Sequence, residues 1–138
     1  MPSPRWLGAC ALLLFVWSLF MPSIDGPGFP ALDGLDVLQQ GASGWRDRVI
    51  AWYANPAFVA ALICCFLGRF KAALAVATAG LLLALSSFTA GPMAESAGRS
   101  IPAFSFAVGF YIWLLAFVVA VLAAAAGIYK VSGSGRVH

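Results

Sequence analysis

Apolar residues run along this chain in four long blocks, at about 6–21, 49–67, 72–90 and 104–128, and no Asp, Glu, Lys, Arg or His falls inside any of them. The charges sit at block ends or in the connections. Read as helices rising 1.5 Å per residue, blocks of this length approach the ~30 Å of a bilayer's hydrocarbon core. The pattern predicts an all-α polytopic membrane protein. Its architecture is an antiparallel four-transmembrane-helix bundle, one domain over 1–138, with external loops at 22–48 and 91–103 and a disordered cytoplasmic tail at 131–138.

The blocks differ in detail. The first, Trp6 to Met21, gives about 24 Å and needs Pro22 to Ile24 to lengthen it, with Pro2 and Pro4 outside the helix. It reads as a retained helix, since no small-residue cleavage site follows it. In the second, Asn55-Pro56 interrupts the run, because proline lacks a donor and clashes one turn back. Either one kinked helix covers 49–67, or Asn55 caps a shorter helix and Trp45 to Tyr53 forms a separate interfacial segment. The kinked helix is preferred on length. Gly68-Arg69-Phe70-Lys71 is a tight hairpin, since a continuous helix would put two cations in mid-bilayer at roughly 2.5–3.5 kcal/mol each. Gly91-Pro92 stops the third helix. The fourth is longer than the core is thick and predicts tilt.

Composition agrees with the pattern: of 138 residues, 62% are hydrophobic and 9% charged, too few to build a polar surface. The net charge of +3 does not indicate nucleic acid, because the basic residues are spread over block boundaries. Alternate boundaries collect Arg5, Arg69, Lys71, Lys130 and Arg136 on one side, against Arg46, Arg48 and Arg99 on the other. The positive-inside rule makes the first side, with both termini, cytoplasmic. Trp45, Trp52, Tyr53, Arg69, Lys71, Tyr129 and Lys130 are the interfacial anchors this topology requires.

Little in the blocks can do chemistry. Transport of ions or protons uses intramembrane ionisable groups, and acid–base catalysis needs a titratable side chain. The serines and threonines of the blocks are expected to bond to their own helices. Asn55 is the exception: it either caps a helix beside Pro56 or contributes to a polar site between helices. Asp25, Asp33 and Asp36 lack calcium-loop spacing, and Asp25-Gly26 and Asp33-Gly34 read as turns, so no metal or cofactor is assigned. Leu32, Leu35 and Leu38 predict a short amphipathic helix over 30–40, lying on the membrane surface or over the bundle mouth. Cys10, Cys64 and Cys65 read as packing residues, and His138 has no role.

Small residues recur at helix-packing intervals: Ala73, Ala77, Gly80 and Ala84 with Ala75 and Ala79 in the third block, and Ala116, Ala120 and Ala124 with Ala123 and Gly127 in the fourth. In lipid, helices associate through such faces, within the chain or with a partner.

Four strings are also suggestive: Ser18-Leu19-Phe20-Met21-Pro22, Trp52-Tyr53-Ala54-Asn55-Pro56, Gly68-Arg69, and Gly109-Phe110-Tyr111-Ile112-Trp113-Leu114. Their order resembles small uncharacterised bacterial inner-membrane proteins with four spans. The resemblance implies that architecture and location and carries over no activity. The expected role is a non-enzymatic accessory or structural component that packs in the bilayer against a membrane-protein partner or a second copy. The alternatives are a transporter or channel component for an uncharged or lipophilic solute, with Asn55-Pro56 lining the path, and an intramembrane enzyme drawing on Asp25, Asp33, Asp36 and Glu95.

Overall fold

The computed structural model describes residues 3–26, 29–43, 50–89 and 105–134, and 83% of these are helical. Helix α1 covers Pro4–Leu19. Its cap is Ser3, whose hydroxyl accepts a hydrogen bond from the Trp6 backbone N–H, and Pro4 stands at the first helical position, where its missing donor costs nothing. Pro4 therefore belongs to the helix, contrary to the sequence expectation. At the other end the helix stops before Pro22. Residues 22–24 do not prolong it but open strand β1 (Pro22–Gly26).

The fold is consequently not all-α. Strand β2 (Phe29–Asp33) pairs antiparallel with β1, and β3 (Ser105–Phe106) pairs with its other edge, giving the order β2-β1-β3. Pro22, Gly26 and Pro30 disfavour helix in these connections. Pairing satisfies backbone groups that, in extended segments, have no partner within their own segment. The expected helix over 30–40 is displaced accordingly: 30–33 are strand, and α2 covers Gly34–Ser43. Gly34 is required there, because a β-carbon would run into the Ser18 carbonyl oxygen at the end of α1. Helix α2 sits against α1, the β1–β2 hairpin and the turn that follows it in the chain.

That turn is a 3-10 segment, Ile50–Tyr53, leading directly into α3 (Ala54–Phe66). Pro56 is the third residue of the α-helix, among the first-turn positions whose N–H groups have no α-helical acceptor, so the proline does not break it. Asn55 is not the cap. The capping position falls to Tyr53, and no side chain serves it. The hairpin at Gly68 closes as expected. Gly68 adopts φ +76°, its N–H donates to Cys65 O (3.1 Å) and the Arg69 N–H to Cys64 O (2.8 Å), which is a Schellman motif. Helix α4 then runs Phe70–Leu85 and tightens into a 3-10 turn, Ser86–Thr89. The Ser86 hydroxyl donates to Leu83 O at 2.6 Å at this point of change. Helix α5 covers Val108–Ser134 and so includes Val131 to Ser134, which the sequence suggested were a loose tail.

Two helices, Phe70–Phe88 and Val108–Gly133, are long and apolar enough to cross a membrane; Pro4–Leu19 and Ala51–Phe66 are shorter, and the charges within the four are Arg5, Lys71 and Lys130, each near a helix end. The four pack with alternating direction, α1 chiefly on α5, α3 on α4, and α4 on α5. The seams are built from small residues. Ala73, Ala77, Gly80 and Ala84 on α4 are all buried, as are Ala116, Ala120, Ala123, Ala124 and Gly127 on α5. At Gly127 a β-carbon would collide with the Phe70 ring, and at Gly80 it would lie 3.0 Å from the ring of Phe117. Large apolar side chains point the other way: Leu13, Leu82 and Leu122 are 68%, 64% and 56% exposed.

Candidate functional site

Polar chemistry in the described residues gathers at the end of the helices that carries the sheet. Asn55 lies on the first turn of α3, facing α5. Its amide Nδ2 donates to the Trp52 carbonyl at 3.2 Å, and its Oδ1 accepts from Trp113 Nε1 at 3.0 Å. Trp52 in turn donates its own Nε1–H to Leu38 O on α2 at 3.1 Å. One amide side chain thus ties together the 3-10 turn, α3 and α5, and Trp52 extends the chain of bonds to α2. No buried side-chain nitrogen or oxygen among the described residues is left without a partner. An unsatisfied donor in apolar surroundings costs about 1–3 kcal/mol, so this arrangement makes a latch of Asn55. Each end of its amide has one partner within the chain, leaving one N–H and one lone pair of the oxygen.

Below the latch runs a column of rings. Phe15 stacks on Phe58 at 4.6 Å between centroids, Phe58 meets Phe117 at 4.9 Å, and Phe117 meets Trp113 edge-on at 5.1 Å. Trp113 continues to Phe110, and Phe110 stacks on Phe106 at 3.9 Å, with Phe88 edge-on to both. Phe58 and Phe117 are fully buried. The spacing of Phe110, Trp113 and Phe117 on α5, three and then four residues apart, was the available signal for this column, since such positions share one helix face.

The remaining sequence candidates fall into place around these two features. Tyr53 is half exposed beside Trp52, with the rings edge-on at 5.7 Å. Arg69, Lys71, Tyr129 and Lys130 are exposed at the opposite, hairpin end, and Trp45 lies outside the described residues, as do Glu95 and His138. Asp25, Asp33 and Asp36 are exposed along the sheet and α2, and no group of three His, Cys, Asp or Glu side chains among the described residues is placed to hold a metal ion. Cys65 is buried with its thiol toward Pro4 O at 3.9 Å, whereas Cys10 points outward. Ser18 donates to Phe15 O within its own helix, and Ser105 donates across the sheet to Asp25 O.

No protein-family model, curated protein or solved structure matches this chain.

The latch makes a local prediction. Trp52→Phe keeps an aromatic ring but deletes the donor to Leu38, so α2 loses a tether. Amide exchange measured by mass spectrometry is expected to accelerate across Gly34–Ser43, by up to about fivefold for a bond worth about 1 kcal/mol. Protection in α4 and α5 should not change. Uniform acceleration throughout the chain would show instead that Trp52 supports the whole bundle.

Proposed function

We propose that this chain is a four-span inner-membrane protein of the bacterial type, with both termini cytoplasmic and a non-enzymatic accessory or structural role in the bilayer. The observation that carries the membrane reading is the inverted distribution of side-chain size. Outside the ring column, alanine and glycine fill most of the seams between helices charged only near their ends, and large side chains such as Leu13, Val59 and Trp17 point outward. Water would favour the reverse, because burying large apolar side chains is what stabilises a soluble core. Lipid gives no such preference, and close approach of backbones decides which residues face inward. Helix α1 spans about 24 Å, and α3 with its 3-10 turn about 27 Å. Both are short enough to require local thinning or interfacial anchoring.

A partner is supported by what α4 leaves unused. Ala73, Ala77, Gly80 and Ala84 are spent on contacts inside the chain, but Ala72, Ala75 and Ala79 form a second small-residue stripe that faces outward with Thr78. A helix from a second copy or another membrane protein could approach closely there. Cysteine placed at Ala75, in a chain cleared of its own cysteines, is expected to crosslink in native membranes, and Ala79→Leu should reduce the product severalfold. Cysteine at Leu13 on α1 should give none. If the Ala75 variant stays monomeric and unpartnered, the accessory role loses its support. Topology is checked separately. A fluorescent protein fused after His138 should be bright, and an exported phosphatase at the same place inactive.

A further inference from the structure

The hairpin end of the molecule carries a positive charge that no acidic side chain among the described residues neutralises, and we propose that it docks on anionic phospholipid headgroups. The inference rests on the membrane reading above. All five acidic residues of the chain are Asp25, Asp33, Asp36, Asp47 and Glu95. The three that are described lie at the sheet end, and none occurs in 3–24, 50–89 or 105–134. At the hairpin end, Arg5, Arg69, Lys71 and Lys130 are all exposed, one or more from each of α1, the α3–α4 hairpin with α4, and α5.

Contacts draw these elements into one rim. Pro4, next to Arg5, accepts from the Cys65 thiol, and Cys65 sits one turn before Arg69. Phe70, between Arg69 and Lys71, presses against Gly127, one turn before Lys130. The field rests on the side chains, because α1 and α4 begin at this end while α3 and α5 finish at it, and the opposed dipole ends cancel. Trp6 and Tyr129, each 70% exposed, flank the rim as the amphipathic rings that settle at headgroup depth. Cations near such a surface attract anionic lipid by about fivefold each, less after screening by salt. A neutral lipid or a protein helix in the bilayer would leave the rim unpaired.

The test uses the full chain in phosphatidylcholine vesicles that carry a minor, fixed fraction of brominated lipid, either phosphatidylglycerol or phosphatidylcholine. Bromine quenches tryptophan fluorescence only on close approach, and Trp6 reports from the rim. Quenching by the brominated phosphatidylglycerol is expected to exceed that by the brominated phosphatidylcholine severalfold. The excess should vanish in W6F and in the combined variant R5Q/R69Q/K71Q/K130Q. The charge-conserving R5K/R69K should retain it, which separates loss of charge from loss of fold. Equal quenching by the two lipids overturns the inference while leaving the membrane reading intact. Inorganic phosphate that removes the excess, where chloride of the same ionic strength does not, overturns it in favour of a free-anion site. A chain that alkaline carbonate strips from both vesicles fails the membrane reading itself.

Discussion

Phe117→Ala is expected to lower the stability of the folded bundle by about 2–3 kcal/mol, read as the unfolding midpoint in bicelles titrated with dodecyl sulfate. Phe117 is fully buried, meets Phe58 at 4.9 Å and Trp113 at 5.1 Å, and its ring fills the space that Gly80 leaves on α4. In a water-soluble core the same truncation costs about 3–5 kcal/mol, part of it transfer from water and part the cavity left behind. If the surrounding medium is lipid, the separated helices keep Phe117 among acyl chains and the transfer part disappears. The cavity and lost ring contacts remain. Leu122 on the outer side of α5 serves as the contrast. Leu122→Ala should be near neutral. Leu122→Lys should impair membrane integration by about 2.5–3.5 kcal/mol, because it puts an ammonium near mid-bilayer. A soluble protein would accept that lysine without loss. Should Phe117→Ala shift the midpoint no further than Leu122→Ala, the aromatic column is not what holds the helices together.

The hairpin at Gly68 could be read from the chain because two cations within an apolar run have no cheap place except an interface, and a glycine stood where the turn needs a positive φ. Helix existence was legible for the same reason: the runs are long and uncharged. Which side of each helix faces inward was not visible from polarity, since these helices are apolar all round and have no polar stripe. Residue size was the better guide, and Ala73, Ala77, Gly80 and Ala84 do lie in the seams. The sheet is not legible in the chain because its pieces are short and its closing pair joins Asp25 to Ser105, eighty residues apart. Pro22 follows an apolar run and so reads as its extension, whereas in the fold it is the point where helix gives way to strand. The start of α3 misleads in a similar way. Pro56 reads as a break only if the helix is assumed to be well under way by that residue, and here it has scarcely begun.

Asn55 gives the sharpest test of the polar latch, because its partner is a tryptophan that the sequence offered no means of pairing with it. Asn55→Leu removes the acceptor for Trp113 Nε1–H and the donor to the Trp52 carbonyl, and should destabilise by about 2 kcal/mol. Trp113→Phe keeps most of the ring contacts and deletes only the donor, at about 1 kcal/mol, since Asn55 retains its bond to Trp52. The two changes should not add. With the indole donor already gone, Asn55→Leu orphans only the backbone carbonyl of Trp52. The double variant is therefore expected to fall short of the sum by about 1 kcal/mol, the coupling energy of the Asn55–Trp113 bond. The cycle is informative because the two side chains belong to different helices and lie 58 residues apart in the chain. Additivity within the error of the midpoints would mean that the bond does not hold α3 to α5, and that the latch contributes at most through Trp52. A transporter path lined by Asn55 makes a different demand. There the amide's second N–H or lone pair would meet the solute, so Asn55→Leu would abolish flux while Trp113→Phe, which leaves the amide in place, would spare it. Stability loss with strong coupling to Trp113 is the outcome that the bonded geometry of Asn55 requires.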